Sequence, residues 1–122
     1  WAAKMECYGM LLVHGGGIAP LEEYLADVSR EYFANERAAY FFSGHTHVQS
    51  LSLLDGICHC NPGSVGQPRD ADARAAFALF DGEKVYLKRV DYDIDLIAAQ
   101  MKTCGFDDYF YRGLYKGQKI GA

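Results

Sequence analysis

The chain has 122 residues, half of them hydrophobic and 23% charged, with a formal net charge of −4. That is the size and composition of one folded unit able to bury a core. No apolar run reaches bilayer length and no basic run exceeds Lys88-Arg89, which sets aside a membrane span and a nucleic-acid surface. No basic n-region with a following apolar stretch opens the chain, so secretion is not signalled and a cytoplasmic location is expected. Trp1 stands where an initiator Met is expected, so the sequence begins mid-gene, after processing, or with its start unrecorded. Cys7, Cys58, Cys60 and Cys104 have no CxxC spacing and are expected to be reduced thiols.

Met10-Leu11-Leu12-Val13 is a short apolar run ending at His14-Gly15-Gly16-Gly17, which reads as a buried strand entering a glycine-permissive loop. Pro20 then opens PLEEYLADVSREYFANE. Leu21, Leu25, Val28 and Tyr32 keep helical spacing there and Glu22 and Glu23 suit a first turn, so the pattern predicts a helix. Residues 39–42 read as a second buried strand, broken by Gly44. Asp55-Gly56 and Asp81-Gly82 each sit between strand-like runs and predict two hairpins. The polar loop NPGSVGQPRDADA separates the hairpins, and residues 94–101 and 109–115 predict two short helices. With no internal repeat or linker, residues 1–122 form one expected unit, an α/β sandwich with a mixed sheet.

His14, His45 and His47 each follow an apolar run and lie beside glycine. Strand ends on one edge of a sheet are where α/β proteins place their sites. Three imidazoles converging there would ligate divalent metal through neutral ring nitrogens. In extended backbone the two rings of His45-Thr46-His47 would project to one side. They would then share one ion or reach two ions roughly 3.5–4 Å apart. The competing reading makes each a hydrogen-bonded structural histidine. His59, between Cys58 and Cys60, reads as a packed or edge residue. A tetrahedral zinc site of His45, His47, Cys58 and Cys60 has suitable ligand types, but its spacing matches no usual finger or ribbon.

GHTH followed by NPGSVGQPRD, with LLVHG upstream, resembles the C-terminal half of a calcineurin-like metallophosphoesterase. More narrowly it is similar to the small bacterial and archaeal phosphodiesterase branch, from Met10 to the strand ending near Tyr92, with a fitting helical tail. The resemblance implies a partial αββα sandwich, its C-terminal half, with a mixed sheet and two hairpins. It implies hydrolysis of phosphate mono- or diesters at two divalent ions, of Mn, Fe, Zn, Co or Ni. His14 and His45 match ligands of the second metal and His47 a ligand of the first. Residues 61–64, Asn-Pro-Gly-Ser, match a structural segment beneath the site. Arg69 is a candidate partner for the substrate phosphate, although an ion pair with Asp70 or Asp72 is the favoured reading.

Two departures from the family pattern stand out. Gly16 occupies a position where Ser is common, and this removes no ligand. More seriously, the family's Asp-x-His pair, bridging aspartate and Gly-Asn-His segment are missing, because Asp-x-His, Asn-His and Gly-Asp occur nowhere in the chain. Three histidines without carboxylates would hold one ion at most, so these residues alone are expected to have little or no phosphoesterase activity. The half-sandwich is expected to expose apolar faces and strand edges that a complementing N-terminal segment or a second copy would cover. A truncated, non-catalytic homologue acting as a metal-binding or protein-interaction module is the alternative.

Overall fold

A computed structural model describes residues 4–122. β1 (Lys4–Cys7) and β2 (Met10–Val13) form an antiparallel hairpin. Its turn, Tyr8-Gly9, has positive φ at both positions (50° and 75°), the backbone that matches the twist of a two-residue hairpin. β2 pairs in parallel with β3 (Tyr40–Phe42), and β3 in parallel with β5 (Ile57–Asn61). β5 pairs antiparallel with β4 (Ser50–Leu54) across Asp55-Gly56, giving a five-stranded mixed sheet in the order β1-β2-β3-β5-β4. β6 (Ala75–Phe80) and β7 (Val85–Val90) form a separate antiparallel pair around Asp81-Gly82. The expected α/β class, mixed sheet and both hairpins are present.

Each face of the mixed sheet is covered differently. Leu11, Phe41 and His59 are aligned across β2, β3 and β5 and so share one face. Leu25 and Phe33, from the segment between β2 and β3, are buried in the core that contains Leu11, Val13, Phe41 and Ile57. On the opposite face Tyr40 and Phe42 meet Phe80 of the second hairpin, with ring centroids 4.6 and 6.1 Å apart. Covered on both sides, β5 buries all five of its residues.

A half-buried polar hub ties the second hairpin to the sheet. The two Nε2 hydrogens of Gln49 are shared among the carbonyls of Pro62, Phe77 and Lys88, at 3.0–3.2 Å. Its Oε1 accepts from Arg89 Nε at 2.9 Å, and Arg89 also pairs with Asp70. The Asp70 carboxylate in turn accepts from the Gln49 backbone N–H.

The helix expected from Pro20 onward does not form. That stretch is turns and bends, followed by one four-residue 3₁₀ helix, Arg30–Phe33. A helix starting at Pro20 would offer the Pro20 carbonyl to Tyr24, but this carbonyl accepts from Gly15 N–H at 2.7 Å. The Glu23 carboxylate folds back onto the N–H groups of Ile18 and Ala19, a local alternative to helical bonding. Leu21 is exposed while Leu25 and Phe33 are buried, so the apolar residues do not form one helical stripe.

After β7, the Asp93 carboxylate caps α1 (Ile94–Thr103) by accepting from Leu96 N–H. The second expected helix is divided into α2 (Asp108–Tyr111) and a 3₁₀ turn, Arg112–Lys116. Gly117 stops it in the left-handed region (φ 60°). Among the described residues, no helix is long and apolar enough to cross a membrane.

Candidate functional site

β2 and β3 run in parallel side by side, so the chain leaves both at the same edge of the sheet. His14 follows β2 directly, and His45 follows β3 by way of Ser43-Gly44. The Gly44 N–H donates to the His14 carbonyl at 2.7 Å, locking the two exits together. His14 Nε2 and His45 Nδ1 then lie 2.9 Å apart, with ring centroids at 4.8 Å.

The loop carrying the two downstream histidines is not extended. His45 (φ 65°) and His47 (φ 60°) both occupy the left-handed region, which corrects the same-side argument based on strand alternation. For residues other than glycine this backbone costs roughly 1–3 kcal/mol and persists only where the surroundings impose it. Asn61, at the end of β5, does much of the imposing. It is buried, its Nδ2 donates to Gly44 O (2.8 Å) and Thr46 Oγ1 (2.9 Å), and its Oδ1 accepts from Gly63 N–H (2.9 Å). Gly63 has φ 82°, and a Cβ there would lie 2.7 Å from the Ala76 methyl, so the segment following β5 is structural, as expected.

His47 lies on the same loop, its Nδ1 2.8 Å from the Gln67 carbonyl. A carbonyl only accepts, so Nδ1 carries the proton and the lone pair is on Nε2, the form in which a histidine ligates metal. Burial lowers the His47 pKa, and the Arg69, His45 and His14 charges push the same way against the Gln67 bond. The neutral ring is therefore favoured.

Tyr24 was hidden within the supposed helix and no sequence signal marked it. Its ring meets His45 edge-on at 5.7 Å and its hydroxyl donates to Thr46 O at 3.3 Å. Arg69 does not make the ion pair favoured from sequence. Asp70 is taken by Arg89, and Asp72 by Arg74 at 2.7 Å. Arg69 donates through Nη2 to Gln67 Oε1 (2.7 Å) and through its backbone N–H to His47 O (3.0 Å). Its Nε–H is buried without a hydrogen-bond partner among the described residues.

The cysteine-based zinc alternative is not supported. Cys58 and Cys60 lie in β5, and burial, with a smaller contribution from Cys58, pushes the Cys60 thiol up to about 12. His59 is a packed residue, buried beside Phe33 and Phe41 with Nε2 2.8 Å from Ser43 Oγ. Among the described residues, no group of three or more His, Cys, Asp or Glu side chains is arranged to hold an ion. The histidine edge is therefore partial. Two nitrogens bound to one tetrahedral ion at about 2.0–2.1 Å lie about 3.3 Å apart, so the His14–His45 pair suits two adjacent ligand positions with a small opening.

A mixed sheet backed by a β-hairpin, with histidines at the ends of parallel strands, places the chain among layered α/β proteins with a site at one sheet edge. Residues 2–84 match the model of the calcineurin-like phosphoesterase superfamily domain, and the chain belongs to that superfamily. It is similar to the uncharacterized protein MJ0912 of Methanocaldococcus jannaschii, 36% identical over 70 residues that cover 43% of this chain and 29% of that one. Its fold matches a metallophosphoesterase from Sphaerobacter thermophilus with a TM-score of 0.84 and 30% identity, over 95% of this chain and 59% of that one. The hypothetical protein PH1004 of Pyrococcus horikoshii OT3 shares the fold, with a TM-score of 0.76 and 24% identity over 90% and 47% of the two chains. The chain thus spans well under two thirds of the length of each of these relatives.

Proposed function

We propose that the chain supplies the histidine edge of a divalent-metal phosphoesterase site, with His14 and His45 on one ion and His47 on a second. The observation that carries this reading is the 2.9 Å approach of His14 Nε2 to His45 Nδ1 at the ends of adjacent parallel strands. The neutral, Nδ1-protonated state of His47 supports it too. Bound divalent ions supply charge neutralisation at the phosphoryl group and activation of water. The chain's own part is to hold the imidazoles in place through Asn61, Thr46 and Gly44, and to present Arg69 beside His47.

No Asp-x-His or Asn-His occurs in the 122 residues, so the acidic ligands and the leaving-group histidine must come from a complementing segment or a partner chain. Leu53, Leu79 and Val90, all more than half exposed, support the presence of such a cover. Manganese-dependent hydrolysis of bis-p-nitrophenyl phosphate tests the proposal. The chain alone is expected to give no turnover above buffer. Turnover should appear when a segment bearing the Asp-x-His and Gly-Asn-His motifs is supplied, and should vanish with His45→Ala. Turnover by the chain alone, lost on His47→Ala, would contradict the need for outside carboxylates.

A further inference from the structure

Beside the histidine edge lies a cavity of about 350 Å³ lined by Tyr24, Arg69, Gln118, Lys119 and Ala122. It adjoins the histidines on two sides: Tyr24 packs on His45, and the Arg69 backbone is bonded to His47. In a chain of net charge −4, this cavity has two cationic side chains and no carboxylate side chain in its wall, although Ala122, which carries the α-carboxylate of the 122-residue chain, also lines it. The neighbouring aspartates do not neutralise Arg69, because Asp70 and Asp72 are held by Arg89 and Arg74. Arg69 also retains a buried Nε–H with no hydrogen-bond partner among the described residues, an unmet donor on a group suited to phosphate oxygens.

The tail that brings Lys119 here is fixed. Ala71 N–H donates to Gly117 O at 3.0 Å, and Gln118 N–H donates to Gly113 O at 2.9 Å. Gly117 packs so closely that a Cβ would lie 2.5 Å from the Asp72 backbone. Arg112 Nη2 further holds Gly121 O at 3.0 Å.

We propose that this cavity is an anion subsite, separate from the metal ligands, that takes a second phosphate group of the substrate. On the metal-edge reading above, on which this rests, the preferred esters carry a further anionic group next to the phosphoryl group attacked. Pyrophosphate-linked or polyphosphate compounds belong to that class, and simple monoesters do not.

The test uses the metal-free chain in EDTA, titrated with inorganic pyrophosphate and followed by ³¹P NMR. One-to-one binding is expected. Lys119→Ala, on an exposed residue, and Arg69→Gln should each weaken it about tenfold, the scale of one charge-assisted hydrogen bond. Lys84→Ala, an exposed cation outside the cavity wall, should leave it unchanged. Binding indifferent to both cationic substitutions, or weakened as much by Lys84→Ala, would overturn the subsite. Zinc coordination by the histidines is measured separately, so failure of the metal reading would show there and leave pyrophosphate binding intact.

Discussion

His14 Nε2 and His45 Nδ1 stand 2.9 Å apart although 31 residues separate them in the chain. Parallel pairing of β2 with β3 and the Gly44–His14 backbone bond bring them together. Because the two rings act on one position, their contributions to binding an ion should not add. His14→Ala and His45→Ala should each lower zinc affinity by at least tenfold, and the double variant should lose little more than either single one. Isothermal titration of the three variants checks this, and strictly additive losses would mean that the rings act separately.

Holding His45 in the left-handed region opposes folding, and its ring gains against this the approach to His14 and the edge contact with Tyr24. Asn tolerates that backbone better than His. His45→Asn is therefore expected to unfold at the same or slightly higher urea concentration, within about 1 kcal/mol of the parent. Its zinc affinity should nevertheless fall. A loss above about 2 kcal/mol would show that the imidazole serves the fold instead.

Asn61 connects the end of β5 to the histidine loop through two hydrogen bonds and accepts a third from the Gly63 N–H that follows it. Asn61→Ala would leave the Gly44 carbonyl, Thr46 Oγ1 and the Gly63 N–H each short of one partner. The expected cost is about 2–3 kcal/mol in urea unfolding, accompanied by broadening of the His45 and His47 ring resonances. Unchanged ring resonances would place the control of the loop elsewhere.

The Asp70–Arg89 pair gives the fold an acid limit. Burial alone would raise the Asp70 pKa, but the Arg89 hydrogen bond, the Gln49 N–H and the Arg89 charge together hold it below the usual carboxylate value of 3.8. A depressed folded pKa contributes stability that is complete above about pH 4 and is lost as pH falls through the lower folded value. Asp70→Asn should flatten the fall in stability below about pH 4. Arg89→Ala, which leaves a half-buried carboxylate with the Gln49 N–H as its remaining partner, should cost about 1–3 kcal/mol at pH 7. Urea midpoints measured from pH 7 down into the acid range decide both.

Much of the architecture was legible in the sequence because short-range chemistry fixes it. The apolar runs at residues 10–13 and 39–42 became β2 and β3, and both Asp-Gly turns closed hairpins. β1 went unread because Lys4–Cys7 is short and almost wholly exposed, with no alternating pattern. The predicted helix after Pro20 failed through contacts that periodicity does not record. Gly15 N–H takes the Pro20 carbonyl, and Glu23 turns back on its own loop. That error hid Tyr24, which reaches the site only because the segment is irregular. A Cβ at Gly16 would meet the ends of the Glu23 and Tyr32 side chains, which would have to shift to admit it. The partner of Asp70 was misassigned because Arg69 is adjacent in sequence, whereas Arg89 arrives through the β6–β7 pairing.

Metal ligation by His14, His45 and His47 is read out by ¹⁵N NMR of the histidine rings during zinc titration. Zinc added to the chain alone should move His14 Nε2 and His45 Nδ1, His47 Nε2 should follow once the carboxylate-bearing segment is supplied, and buried His59 should stay in place. Zinc that shifts none of those three nitrogens, or binds equally well to a chain with all three histidines replaced by alanine, would contradict the account.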